Sequence, residues 1–216
     1  MSLLITSSLF GSIEWYENAY KNWKEKAYND LKNMLAREWS GMSDAAQRGV
    51  DFENAIYNTL KSGKENKINS SDFFKVFLEK CKGGEFQKVT KKFLTVDGKE
   101  YCIYSKLDVW FPDVIIDIKT TSKWDQYSEG KYLNSMQHIM YCYTSDIPKF
   151  LYMVALFNGE TSKIIQTIKY LLYEAPTIPF LENKIVEKIK KMEKFFSIHQ
   201  ELNELFEHTY SKYNKG

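Results

Sequence analysis

The chain has 216 residues, 44% hydrophobic and 27% charged, which is enough for a domain with a real core. Its net charge of +2 excludes a molecule drawn to nucleic acid by bulk charge, so any such footprint must be local. The longest strictly apolar run, Phe150 to Phe157, falls well short of the roughly 20 residues that span a bilayer, which excludes a membrane-spanning helix.

The chain opens without a basic region before its short apolar run (Met1 to Gly11), so no secretory signal is expected there. Helix is predicted from Ser12 to Trp39, with Ser12 as N-cap and Trp15, Ala19, Trp23, Ala27, Leu31 and Leu35 at helical spacing. Ser40-Gly41 breaks it. Ser43 or Asp44 caps a second helix running to about Leu60, closed by Ser62-Gly63, and a third runs from Ser71-Asp72 to Gly83-Gly84. The pattern then turns to strand: Glu85–Val96 and Lys99–Trp110 joined at Asp97-Gly98, a turn at Phe111-Pro112, and a third strand over Asp113–Thr120. Leu133–Thr144 reads as helix, Lys149–Phe157 and Lys163–Tyr173 as strands about Asn158-Gly159, and Phe180–His208 as a long amphipathic helix after Pro176 and Pro179. The order gives one α/β (α+β) domain: a helical part at 12–82, a core at about 85–175 with an antiparallel meander in a central mixed sheet, and the C-terminal helix.

The informative stretch is Asp113-Val-Ile-Ile-Asp117-Ile-Lys119-Thr120. Its apolar residues fall on both faces, as in a covered central strand, and Asp117 and Lys119 share one face. A buried charge needs a partner, and an ordinary Asp–Lys ion pair at a sheet end would supply one. The preceding strand adds Asp108. With a two-residue Phe111-Pro112 turn, Asp108 faces Ile115 and lies diagonal to Asp117, Cα atoms roughly 7–8 Å apart. Carboxylates at that distance repel one another or share a divalent cation, and hard oxygen ligands suit Mg²⁺ or Mn²⁺. Asp113 is about 13 Å along the strand from Asp117, too far to share that ion.

Asp108 followed by Asp117-Ile-Lys119 resembles the core of the PD-(D/E)xK nuclease superfamily; the literal Pro112-Asp113 is a decoy in the turn. Two further motifs resemble its phage lambda exonuclease-like and RecB-like branches. One is Gly49 and then Glu53 on the second helix; the other is Gln137 and Tyr141, one turn apart on the helix after the core. The resemblance covers about Gly49 to Phe157 and implies a restriction-endonuclease-like core, with metal ligands Glu53, Asp108 and Asp117. It further implies that Lys119 acts on the nucleophile, that Gln137 orients the lysine or water, and that Tyr141 steadies the motif or the DNA.

CRISPR-associated exonucleases of this superfamily share the motif order but hold an iron–sulfur cluster on four cysteines. Cys81, Cys102 and Cys142 cannot supply that set, so no iron–sulfur cluster is expected, and scattered thiols suit a reduced, cytoplasmic protein. Arg37 and Arg48 are the only arginines, which argues against reading base edges but leaves phosphate contacts to lysine. Lys184, Lys188, Lys190, Lys191 and Lys194 form either a solvated face or a DNA-backbone contact. Trp124 and Tyr127 either stack on a DNA end or pack into the core, and His138 is expected to be an ordinary helix residue.

The function expected is a metal-dependent DNA exonuclease in phage or mobile-element recombination or DNA processing. A structure-specific or restriction-like endonuclease shares the chemistry, and a catalytically silent nucleic-acid-binding protein shares the fold. Linear or ended duplex DNA is the expected partner; a homo-oligomer or a recombination protein is compatible with the resemblance, although no residue reports either.

Overall fold

A computed structural model describes residues 2–38, 41–63, 72–159 and 164–211. Along the chain run β1 (Leu3–Ile5), α1 (Ser7–Asn18), α2 (Lys21–Ala36), α3 (Asp44–Ser62), α4 (Asp72–Cys81), β2 (Glu85–Val96), β3 (Lys99–Trp110) and β4 (Ile115–Thr121). They are followed by α5 (Ser128–Leu133), α6 (Met136–Ser145), β5 (Lys149–Phe157), β6 (Ile165–Glu174), α7 (Ile178–Ile198) and α8 (Gln200–Tyr210). No helix among the described residues is long and apolar enough to cross a membrane.

The sheet is mixed, as the sequence pattern implied. β3 pairs antiparallel with β2 and β4, β4 pairs parallel with β5, and β5 pairs antiparallel with β6. β1 adds a parallel edge against Tyr101–Ile103. Helices cover both faces. Ile115, Phe150, Tyr152 and Val154 pack with apolar residues of α1, α2, α6, α7 and α8. Ile116, Ile118, Met153, Ala155 and Phe157 pack with Phe52 and Ile56 of α3 and Phe74 and Phe77 of α4. The strict alternation along β4 and β5 is that of strands buried on both sides.

β3 does not alternate so simply. Leu107 belongs to the cluster under α6 and α7, whereas Val109, two residues on, belongs to the one under α3 and α4. Residues i and i+2 of a regular strand share a face. The change of face falls at Asp108.

Several boundaries differ from the sequence reading, each for a local reason. The first helix is two helices: Thr6, not Ser12, is the N-cap, accepting from Leu9 N at 3.3 Å, and the chain turns at Ala19-Tyr20. No glycine or proline marks that break, and the spacing of Trp15 and Trp23 was misleading, because both rings are exposed while Leu9, Phe10 and Ile13 face the core. The C-terminal helix is likewise divided, at His199. α6 starts at Met136 rather than Leu133, because the short α5 occupies the residues before it. The expected helix end at Trp39, the break at Ser40, the cap at Ser71 and the strand start at Lys163 lie outside the described residues.

A tight turn and one close approach hold the meander. Asp97 and Gly98 both have positive φ, 48° and 82°, the twisted turn that suits a two-residue hairpin. Gly84, just before β2, lies where a Cβ would meet Val109 Cγ1 at 2.4 Å and the Phe111 ring at 2.8 Å. Gly84→Ala should therefore destabilise the fold by about 1–3 kcal/mol through overpacking at the end of β3, measured by urea denaturation; an unchanged midpoint would mean that the ring moves aside freely.

Candidate active site

β4 carries a run of isoleucines because it lies between two packed layers, and Asp117 and Lys119 interrupt that run. The turn before it is closed by Phe111 N donating to Val114 O at 3.0 Å, so Pro112 and Asp113 are its central residues, not Phe111 and Pro112. The register moves accordingly: Trp110 pairs with Ile115 and Val109 with Ile116, and its continuation past the last pair puts Asp108 level with Asp117 instead of diagonal to it. Asp113 stays out on the exposed turn.

The ladder between β3 and β4 stops at that level. Asp108 Oδ2 accepts from Ile118 N at 2.9 Å, so a side-chain carboxylate does what a neighbouring strand's carbonyl would otherwise do. Asp117 is fully buried. Its Oδ1 accepts from Gln137 Nε2 at 2.6 Å, and Lys119 Nζ lies 2.6 Å from Oδ2 as an ion pair without hydrogen-bond alignment. Gln137 also donates to Tyr141 Oη at 3.2 Å, so Tyr141 meets the strand pair through Gln137.

The charges explain the titration behaviour. Burial raises the Asp117 carboxyl well above the usual range, Lys119 opposes the rise, and the neighbouring Asp108 adds to it. Burial works against the charged form of Lys119, but Asp117 and Asp108 together raise its pKa, so the ammonium stays charged. Burial and then Asp117 and Asp108 raise Tyr141, keeping its hydroxyl protonated.

Glu53 comes from the other layer. Ser43 caps α3 by accepting from Ala46 N at 3.2 Å, and Phe52, Ala55 and Ile56 bury one side of the helix. Gly49, one turn before Glu53, faces β4: a Cβ there would make an ordinary contact, 3.4 Å from Thr120 Oγ1. The half-buried Glu53 accepts through Oε1 from Gln87 Nε2. Burial and then Asp108 push its carboxyl up to about 7, against the pull of Lys119 and Lys106.

Asp108, Asp117, Lys119, Gln137 and Tyr141 are thus brought together directly, with Glu53 in electrostatic reach of Asp108 and Lys119. As placed, no three His, Cys, Asp or Glu side chains among the described residues form a ready-made metal cage. The donor chemistry nevertheless fits a hard cation, since Mg²⁺ is commonly held by one or two carboxylates and completed by water and phosphate oxygens. Asp117 Oδ2, fully buried, is paired with the Lys119 ammonium, so a cation entering here would share that carboxylate with the lysine.

Two neighbours escaped the sequence reading. Tyr152 is registered beside Asp117, and its hydroxyl meets Ser135 Oγ at 3.0 Å and His138 Nδ1 at 3.2 Å. His138 is a buried core histidine, its pKa lowered by burial to about 4, so it packs behind the site as the neutral ring. Gln87 gave no signal beyond being one polar residue in a strand. All three cysteines are free and buried, and burial and then Asp108 push the Cys81 thiol up to about 12. On α7, Lys184 and Lys190 pair with Glu187 and Asp97 at 3.8 and 3.1 Å, and Lys188 pairs with Glu14, so much of that charge is already answered within the protein. Trp124 is partly buried and stacks on Tyr132 at 5.9 Å, while Tyr127 is exposed.

No protein-family model matches the sequence, and no curated protein matches it. Solved structures do. The chain is similar to the crystal structure of SSO0001, with a TM-score of 0.53 at 15% identity, over 90% of this chain and 77% of that one. It is also similar to a phage-related exonuclease from Haemophilus somnus 129PT, with a TM-score of 0.50 at 14% identity, over 94% of this chain and 97% of that one. These likenesses establish the fold, a mixed sheet flanked by helices in the arrangement of a phage-related exonuclease.

The raised Glu53 carboxyl has a measurable consequence. Its folded pKa of about 7 exceeds the ordinary 4.5, so the folded protein holds this proton more tightly than the unfolded chain. That contribution to stability is complete below pH 4.5 and is lost as the pH rises through 7. In chelator, Glu53→Gln should gain on the wild type as pH rises through this window, by on the order of 2 kcal/mol in urea unfolding; parallel stability curves would mean that Glu53 is not under this strain.

Proposed function

We propose that this protein is a divalent-metal-dependent nuclease that hydrolyses phosphodiester bonds, acting as a DNA exonuclease. The observation that carries the reading is the opening between β3 and β4, where Asp108 faces Asp117 and Lys119 and Gln137 close on the same carboxylate. Two acids forced together beside one lysine make poor structural cement, because buried ion pairs rarely repay their desolvation. They make a good seat for a cation. The exonuclease half of the reading is supported by the Gln137–Tyr141 pair at the site and by the fold shared with a phage-related exonuclease.

In this mechanism Asp108 and Asp117 would hold Mg²⁺ or Mn²⁺, with Glu53 available from α3. When bound, the cation lowers the pKa of a water and neutralises charge on the phosphoryl oxygens. The chain's own residues do the rest. Gln137 fixes the Asp117 carboxylate through Oδ1, while Lys119 faces Oδ2. Lys119 remains an ammonium at the edge of the site and donates to the attacking water or to a non-bridging phosphoryl oxygen as negative charge develops. The water oxygen bonds to phosphorus as the bond to the leaving oxygen breaks, the water losing its proton to solvent and the leaving oxygen taking one from solvent. Tyr141, protonated, holds the Gln137 amide in its orientation.

Linear duplex DNA is the proposed substrate, processed in phage or mobile-element recombination within the cytoplasm, where three buried thiols stay reduced. End-labelled linear DNA should be degraded with Mg²⁺ or Mn²⁺ while covalently closed circles survive. Asp117→Ala should cut the rate by at least about a hundredfold while keeping the native circular dichroism spectrum. Cleavage of closed circles would reassign the protein as an endonuclease with the same chemistry, and wild-type turnover in Asp117→Ala would remove this site from the reaction.

A further inference from the structure

Gln87 lies inside β2 between two formed pairs, Phe86 with Val109 and Lys88 with Leu107, yet is itself unpaired in the ladder. The register is the same on either side, so no residue is inserted, and the position across from it is Asp108. Its φ is 57°, a left-handed value that strains a residue with a side chain. Arg37 and Asp146 also have positive φ, but they end helices, and Asp97 turns a hairpin. Gln87 stands in the interior of a strand, level with the change of face on β3.

The side chain presented by this conformation reaches α3, where Nε2 donates to Glu53 Oε1. A glycine would adopt this φ without strain. What glutamine adds is an amide long enough to span from β2 to the helix. The strained backbone and the contact to Glu53 are separate observations, and both converge on the acid that sits apart from the Asp108–Asp117 pair.

We propose that Gln87 is a positioning residue, whose backbone kink and amide hold the Glu53 carboxylate against β2 at the level of Asp108, from where it can join the two aspartates on a divalent cation. The inference rests on the metal-dependent reading above and adds a residue that acts on the cation only through Glu53. Gln87 does not touch the substrate in this role. It sets how tightly the cation is held, not how fast the bond breaks once the cation is in place.

The test is titration of Mn²⁺ into the protein without DNA, followed by calorimetry, on wild type, Gln87→Gly, Glu53→Gln and the double variant. Thermal melts in chelator and cleavage rates across Mn²⁺ concentrations accompany it. Gln87→Gly should melt no lower than wild type, because it relieves the backbone, yet bind Mn²⁺ about tenfold or more weakly. The Mn²⁺ needed for half-maximal cleavage should rise by the same factor, with the rate at saturating Mn²⁺ kept within about threefold. In the Glu53→Gln background the glycine change should have no further effect on Mn²⁺ affinity. Equal Mn²⁺ affinity in Gln87→Gly and wild type would overturn the proposal, as would an equal loss in both backgrounds. Wild-type protein that binds no Mn²⁺ would also overturn it, while the cleavage assay separately decides the reading on which it rests.

Discussion

Everything at the candidate site follows from the parting of two strands. Between β3 and β4 only Val109–Ile116 and Trp110–Ile115 pair before the ladder ends, and Ile118 N then takes a carboxylate oxygen of Asp108. A buried backbone N–H left without an acceptor is costly, so a side chain that replaces the missing carbonyl is a constraint as well as a contact. It fixes Asp108 opposite Asp117, the fully buried acid of β4. Two like charges at that level need Lys119 and the Gln137 amide, and both are supplied from positions set by the strand and by α6.

The rest of the fold supports this opening from three sides. β5 pairs along the whole of β4 in parallel, so the strand that carries Asp117 and Lys119 cannot slide. Behind it Tyr152, His138 and Ser135 form a hydrogen-bonded group that ties β5 to the start of α6 and so to Gln137. On the opposite layer α3 faces Thr120 at Gly49 and presents Glu53 one turn later. The site is built on strands and helices rather than on loops, which suits an arrangement that must hold repelling acids in place.

Much of this was legible in the residues. The isoleucine run with Asp117 and Lys119 identified a covered strand whose charges share a face, and the spacing back to Asp108 put a second acid on that face. What the pattern misjudged was the turn: Phe111-Pro112 and Pro112-Asp113 are both plausible two-residue turns, and only the Phe111–Val114 hydrogen bond distinguishes a diagonal from a direct opposition. The break at Ala19-Tyr20 was invisible because no breaker stands there and two exposed tryptophans continued the helical spacing. β1 was missed because three residues carry too little periodicity. Gln87 could not be found at all, since its significance lies in a backbone angle and a contact to a helix 34 residues earlier.

The central claim is that Asp108 and Asp117 exist as a pair to hold a divalent cation. Crystals grown with Mn²⁺ and measured for its anomalous signal test it most directly. One strong anomalous peak is expected between these carboxylates, in contact with Asp117 and lost in Asp117→Ala. A peak bound elsewhere, or none in crystals of protein that cleaves DNA under the same Mn²⁺ concentration, would contradict it.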